Sequence, residues 1–114
     1  MADHMELFDD IYAAFNRRDV PAVLRRMTPE VTWPKAFEGG TVSGRDEVAA
    51  YWQRQWTEID PEVTPVGYAT EPDGRVAVTV AQTVRDLDGK VLDEATVTHV
   101  YRLDGDLVAA MEIR

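Results

Sequence analysis

Cysteine is absent from this chain, and histidine is scarce. Without cysteine, disulfide bonds, thiolate metal sites and a cysteine nucleophile are all excluded. The two histidines, His4 and His99, are too few for a zinc site with three histidine ligands. Gly-rich phosphate loops, nucleophile elbows and dinucleotide fingerprints are missing too. We therefore expect neither a metal nor another cofactor.

The chain also has few basic residues and no long apolar run. The chain has 12 Lys and Arg against 21 Asp and Glu, a net charge of -9 that repels nucleic-acid phosphates and anionic lipids. It has no apolar run of about 18 residues, and its first residues are acidic, unlike a signal peptide. We expect a cytoplasmic protein without nucleic-acid or membrane partners. Its 114 residues, 45% of them hydrophobic, predict one domain over residues 1–114.

The first part of the chain has the periodicity of a helical hairpin. From Met5 onward, one apolar face follows helical spacing: Phe8, Ile11, Tyr12 and Phe15. A second helix begins after Asp19 as its N-cap and repeats that spacing: Val20, Val23, Leu24 and Met27. These two faces need a common partner, which we expect to be a sheet.

A third helix is predicted over Ser43–Trp56. Val48, Trp52 and Trp56 recur at i, i+4 and i+8, so one stripe carries two of the three tryptophans. Ser43 is the expected N-cap, with Asp46 in the position of a capping-box acid. This helix is predicted to form one wall of a cavity.

Strand patterns surround that helix and dominate the rest of the chain. A short strand is expected over 30–33, followed by a breaker-rich loop over 34–40 that suits a lid or pocket wall. Beyond Pro61 the apolar period changes to two, and turn residues separate four antiparallel strands. The expected strands are 62–70, 75–86, 90–103 and 107–113. Pro65 places the first of them at an edge or a bulge.

Two of these strands are about twice the usual length, so the sheet should twist and curl. A curled sheet has a concave side, which the three amphipathic helices can cover. The sequence therefore predicts an α+β fold in which three N-terminal helices pack on a strongly curved antiparallel sheet, forming a cone.

The order of elements resembles the nuclear transport factor 2-like superfamily, in its SnoaL-like, polyketide-cyclase-like branch. The similarity covers essentially the whole chain and is carried by residues 15–23, 31–34, 44–48 and 99–108. The resemblance implies a cone-shaped cavity for a small molecule and a homodimer formed through the outer face of the sheet. It does not select one activity, because this fold hosts enzymes and binders.

The sequence departs from the steroid isomerases of this superfamily. At the position of their general-base Asp it has Trp33, whose indole cannot accept a proton. Their oxyanion-binding acid aligns with His99. Their first-helix tyrosine falls nearest Ile11, with Tyr12 one residue out of register. Standard steroid-isomerase chemistry is thus disfavoured.

His99 and Glu112 are the candidate catalytic residues. Alternate residues of a strand share one face of the sheet. On the last two strands this groups Val97 with His99 and Tyr101, and Val108 with Ala110 and Glu112, and both groups could face inward. A histidine–carboxylate pair would then orient the imidazole as a general acid or base. The alternative is a core His99 with one backbone hydrogen bond and an exposed Glu112.

The candidate ligand-binding residues combine aromatic walls with polar groups. Gln82 is a polar amide on a valine-rich strand face, and Tyr101 follows His99 on its strand. Both could polarise a carbonyl group. The predicted walls are Tyr12, Phe15, Trp33, Trp52 and Trp56. Large aromatic residues at helical spacing are equally typical of a filled core.

Three functional hypotheses follow. The first is a protein that binds a small apolar or aromatic molecule and catalyses isomerisation, cyclisation or dehydration with His99 as acid or base. The second is a ligand-binding module without turnover, favoured by Trp33. The third is an interaction domain whose cone is filled by its own side chains.

Overall fold

The structure is a computed structural model that describes residues 4–35 and 39–114, except for the side chain of His4. Its described part comprises α1 (His4–Asn16), α2 (Val20–Leu24), β1 (Met27–Pro34), β2 (Thr41–Ser43), α3 (Arg45–Gln55), β3 (Asp60–Thr70), β4 (Val76–Arg85), β5 (Val91–Asp104) and β6 (Leu107–Ile113). The predicted α+β fold is confirmed. No helix within these ranges is long and apolar enough to cross a membrane. Residues 36–38 of the predicted lid loop lie outside the described residues.

The six strands form one curved, unclosed sheet in the order β2-β1-β6-β5-β4-β3. The meander from β3 to β6 is antiparallel throughout, as predicted, while β1 joins β6 in parallel. At the edge of the sheet, β3 carries a bulge between Pro65 and Gly67. The proline is tolerated there because an edge strand leaves one row of backbone groups outside the ladder.

Alternation along β4 and β5 creates the concave face. Val76, Val78 and Val80 are buried on β4, and Tyr101 and His99 lie opposite the first two of them on β5. Their side chains share one face because the strand period is two residues. This face forms the sheet side of the core.

The helices cover that face through aromatic contacts. On α1, the Phe8 ring lies 4.6 Å from the Tyr101 ring, measured between centroids. On α3, Val48 and Trp52 are buried. At the end of α1, the Asn16 side chain donates to Val63 O at 2.7 Å and accepts from Val63 N at 3.0 Å. Asn16 therefore links α1 to β3 through the pair of hydrogen bonds that a neighbouring strand would make with Val63.

Two helix boundaries differ from the predictions. The second helix ends at Leu24, and Met27 opens β1 instead of completing a helical stripe. The third helix is capped by Gly44, which has a φ of 87° and no side-chain capping bond. Ser43 cannot be the N-cap because it is the last residue of β2 and pairs with Thr32. The Asp19 cap is present, with its carboxylate accepting from Ala22 N at 3.3 Å.

Candidate functional site

A cavity of about 60 Å³, partly open to solvent, lies between α1, α3 and the concave face of the sheet. Seven of the nine predicted site residues line it: Tyr12, Phe15, Trp33, Trp52, Gln82, His99 and Tyr101. Eight further lining residues were not predicted as site residues: Ile11, Pro34, Tyr51, Gln55, Pro61, Val63, Met111 and Ile113. The volume holds a few water molecules or a few non-hydrogen atoms of a ligand.

Three side chains form a hydrogen-bonded network in the wall of this cavity. The Tyr12 hydroxyl oxygen lies 2.8 Å from His99 Nδ1 and 2.6 Å from the Tyr101 hydroxyl oxygen. Helix α1 supplies Tyr12, and β5 supplies the other two residues on its concave face. The network brings together residues 87 and 89 positions apart in the sequence.

Burial keeps this network uncharged. It lowers the pKa of His99 from its ordinary value of 6.5 to about 4, because the imidazolium form loses its hydration. Burial also raises the pKa of Tyr12 and Tyr101 well above the ordinary value, and Tyr101 raises that of Tyr12 further. At neutral pH the site therefore contains a neutral imidazole and two protonated phenols.

The proton count of the network defines what it offers a ligand. Tyr12 has one hydroxyl proton, so it donates to one neighbour and accepts from the other. When Tyr12 donates to His99 Nδ1, the remaining proton of the imidazole is on Nε2. When Nδ1 donates to Tyr12 instead, Nε2 carries a lone pair. The imidazole can thus present either a donor or an acceptor without becoming charged.

The predicted pair of His99 and Glu112 is wrong. The carboxylate of Glu112 accepts a hydrogen bond from Arg75 at 2.6 Å on the outer face, and its side chain is 56% exposed. In the ladder, Glu112 lies opposite Val100, whereas His99 lies opposite Ile113. A register shift beyond Arg102 changes the parity of β6, so Val108 and Glu112 do not share a face.

The tryptophans occupy different positions around the cavity. Trp33 and Trp52 line it with nearly perpendicular rings whose centroids are 5.4 Å apart. Trp56 is not among the lining residues; it packs against Phe15, beneath the Arg18 guanidinium, whose central carbon is 4.9 Å from the indole centroid. Its indole nitrogen is buried without a hydrogen-bond partner among the described residues. Trp56 therefore supports the wall from behind.

Two amides add neutral polar groups to the cavity. Gln82 lies on β4 with its side chain half-buried, as the parity of the strand predicted. Gln55 lies one turn after Tyr51 on α3 and donates from Nε2 to the Tyr51 hydroxyl at 2.9 Å. Their i, i+4 spacing was a signal for a shared helix face, but the tryptophan stripe dominated the pattern. Within the described ranges, no group of three or more His, Cys, Asp or Glu is placed to hold a metal.

The sequence matches a known protein family over most of its length. Residues 8–111 match the model of the SnoaL-like domain. The chain belongs to the SnoaL-like domain family. No functionally curated protein matches it.

Solved structures similar to this SnoaL-like chain share its fold across nearly its full length. An NTF2-like protein of unknown function from Burkholderia pseudomallei is 27% identical, with a TM-score of 0.84, covering 100% of this chain and 91% of the other. TerC, co-crystallised with polyporic acid, is 24% identical, with a TM-score of 0.83 and coverages of 97% and 89%. A proposed polyketide cyclase from Pseudomonas putida is 19% identical, with a TM-score of 0.78 and coverages of 100% and 92%.

The cavity of this SnoaL-like chain combines aromatic residues with uncharged polar groups. Trp33, which the resemblance aligns with a general-base Asp, lines the cavity. Tyr12, whose direction the resemblance left open, points inward and connects His99 to Tyr101. The cavity thus pairs aromatic walls with a neutral hydrogen-bonding network.

Proposed function

We propose that this SnoaL-like protein binds a small, largely apolar or aromatic molecule through an oxygen-bearing group. The observation that carries the proposal is the Tyr12–His99–Tyr101 network in the wall of an otherwise aromatic and apolar cavity. A few convergent polar groups in an apolar cavity are typical of small-molecule sites. The network can meet either a carbonyl or a hydroxyl oxygen.

The aromatic walls support the same proposal. Trp52 touches both Trp33 and Phe15 with ring centroids 5.4 Å apart and rings nearly perpendicular. Rings fixed in this way present flat apolar surfaces to a ligand at a small entropic cost. The polyporic acid found in TerC is a further precedent for a small-molecule ligand in this fold.

Binding can be measured by NMR through the indole N–H signals of the three tryptophans. Acetone and acetophenone are suitable probes, because the first fits a cavity of this size and the second adds an aromatic ring that can extend through its open side. We expect the Trp33 and Trp52 signals to shift in a saturable way, and that of Trp56 to shift less. Ligands this small should bind with dissociation constants of about 1 mM or weaker.

Gln82→Leu and Thr83→Val form a matched pair for that experiment. Gln82 lines the cavity, whereas Thr83 is the next residue on β4 and faces the other side of the sheet. The first variant should change the affinity for the ketones, and the second should not. Equal shifts of all three indoles at every ligand concentration, without saturation, would contradict a defined site.

A second candidate function is proton transfer with His99 as the base. The Tyr12 hydroxyl at 2.8 Å orients the imidazole, and a neutral imidazole can accept a proton at Nε2. Isomerisation, cyclisation and dehydration all need such a step. With a pKa of about 4, His99 is a weak base, so turnover should be slow and binding without turnover ranks first.

Deuterium exchange at the carbon next to the carbonyl of an enolisable ketone tests this second function. In D₂O, NMR should show protein-dependent exchange that His99→Gln abolishes and Thr83→Val leaves intact. Unchanged exchange in His99→Ala would exclude His99 as the base. Saturable binding without exchange would support a ligand-binding module without turnover. The absence of both binding and exchange would favour an interaction domain with a filled cone.

We also propose that the protein is cytoplasmic and forms a homodimer through the outer face of the sheet. On that face, Thr79 of β4 lies opposite Thr98 of β5, and both are half-buried. Small uncharged side chains of this kind suit a flat contact between two sheets. Sedimentation should show a dimer for the unchanged chain and a monomer for Thr79→Arg; a monomer in both cases would contradict the proposal.

A further inference from the structure

The polar groups that line the cavity share one property, which is electrical neutrality at physiological pH. They are three phenols, one imidazole and two amides: Tyr12, Tyr51, Tyr101, His99, Gln55 and Gln82. Among the described lining residues, none is Asp, Glu, Lys or Arg. The chain nevertheless has 33 such residues, since it contains 12 basic and 21 acidic side chains.

None of the arginines at the edge of this region lines the cavity itself, including Arg54, whose guanidinium carbon lies 5.7 Å from the centroid of the Tyr51 ring. Arg18 forms an ion pair with Asp60 and covers the back of Trp56. Arg75 binds Glu112 on the outer face of the sheet. A ligand in the cavity would therefore meet hydrogen-bonding dipoles rather than one of these guanidinium groups.

We infer that the cavity takes an uncharged oxygen group, such as a ketone, aldehyde, alcohol or amide, and rejects a carboxylate of the same shape. This inference rests on the proposed ligand-binding function and specifies its ligand class. A neutral carbonyl oxygen needs one donor, which the network supplies without a counter-charge. A carboxylate would lose its hydration without gaining a cation, and the net charge of -9 opposes its approach.

Pairs of ligands that differ only in charge test the inference. Acetone and acetate have the same number of non-hydrogen atoms, as do acetophenone and benzoate. At pH 7 we expect each neutral ligand to bind, as followed by the indole signals of Trp33 and Trp52. The corresponding carboxylate should bind about 100-fold more weakly or not at all.

A lysine placed in the cavity should reverse this selection. Gln82→Lys adds an ammonium group to the lining from β4, and Gln55→Lys adds one from α3, in case either variant folds poorly. The matched control is Gln53→Lys, which makes the same substitution at an exposed position of α3 outside the cavity lining. We expect the cavity lysine, but not the control, to strengthen benzoate binding at least tenfold relative to acetophenone.

The possible outcomes separate the inference from the function on which it rests. If benzoate and acetophenone bind the unchanged protein equally well, the charge selection is wrong and the ligand-binding function stands. If both lysine variants fold and neither gains benzoate affinity over Gln53→Lys, the neutrality of the lining is not what excludes the carboxylate. If no ligand of either pair binds, the proposed function fails and the inference fails with it.

Discussion

The buried imidazole of His99 should make the protein sensitive to acid. His99 is 6% exposed, and burial lowers its pKa from 6.5 to about 4. In the unfolded chain the imidazole returns to the ordinary value and binds a proton more readily than in the fold. Because the folded-state pKa is the lower one, the contribution to stability is complete above pH 6.5. It is lost as the pH falls from 6.5 toward 4.

The size of this effect follows from the two pKa values. A proton that binds the unfolded chain with a pKa of 6.5 and the folded chain with a pKa of about 4 favours unfolding in acid. Relative to pH 8, the free energy of unfolding should fall by about 2 kcal/mol at pH 5 and about 3 kcal/mol at pH 4. That is a large part of the stability of a small domain.

Urea unfolding of the unchanged protein and of His99→Gln between pH 4 and pH 8 measures this contribution. Glutamine keeps a polar group at the site but does not titrate. The carboxylates are common to both proteins, so their titration largely cancels in the difference between the two unfolding free energies. We expect that difference to shrink by about 2 kcal/mol between pH 8 and pH 5.

Two results would refute this reasoning about His99. The first is a difference in unfolding free energy that stays constant from pH 8 to pH 4. The second is an imidazole that titrates near 6.5 in the folded protein, as followed by the NMR shifts of its carbon-bound protons. Either result would mean that the ring is as well hydrated in the folded protein as in the unfolded chain, so that burial does not lower its pKa.

Three further substitutions test other parts of the structure. Tyr12→Phe should cost about 1–3 kcal/mol in urea unfolding, because His99 and Tyr101 lose their shared hydrogen-bond partner; an unchanged midpoint would contradict the network. Trp52→Ala should cost about 3–5 kcal/mol, because it empties the space between α3 and the sheet, and calorimetry would show this as a lower Tm; a loss within error would mean that the helix does not pack there. Glu112→Gln should change neither stability nor the ligand-induced indole shifts measurably, since its ion pair is on the surface; lost ligand binding would contradict its outward position.

Local patterns were sufficient to predict most of the secondary structure. The helical spacing of Phe8, Ile11 and Tyr12 and the period-two strands beyond Pro61 reflect which side chains must leave water, and that requirement is already present in the sequence. Boundaries were less predictable. Ser43 has the chemistry of an N-cap, but its backbone is needed in β2, so Gly44 takes that position.

Most residues of the candidate site were predictable from the sequence, but their hydrogen-bond partners were not. His99 and Gln82 were recognisable as residues of the inward face of the sheet, and Trp52 as part of the apolar stripe of α3. The partner of His99 was not, because a single register shift between β5 and β6 reverses the direction of Glu112. Such a shift depends on how the strands pair in the sheet and leaves no period-two signal of its own.

The sequence by itself determined the fold class, the concave aromatic face and the exclusion of cysteine chemistry, because composition and apolar periodicity act locally. Only the tertiary structure decided that Tyr12 meets His99 and Tyr101, since these two residues are 87 and 89 positions from Tyr12 in the sequence. It also decided that the imidazole is neutral, because a pKa depends on the whole surrounding of a group and not on its neighbours in the sequence.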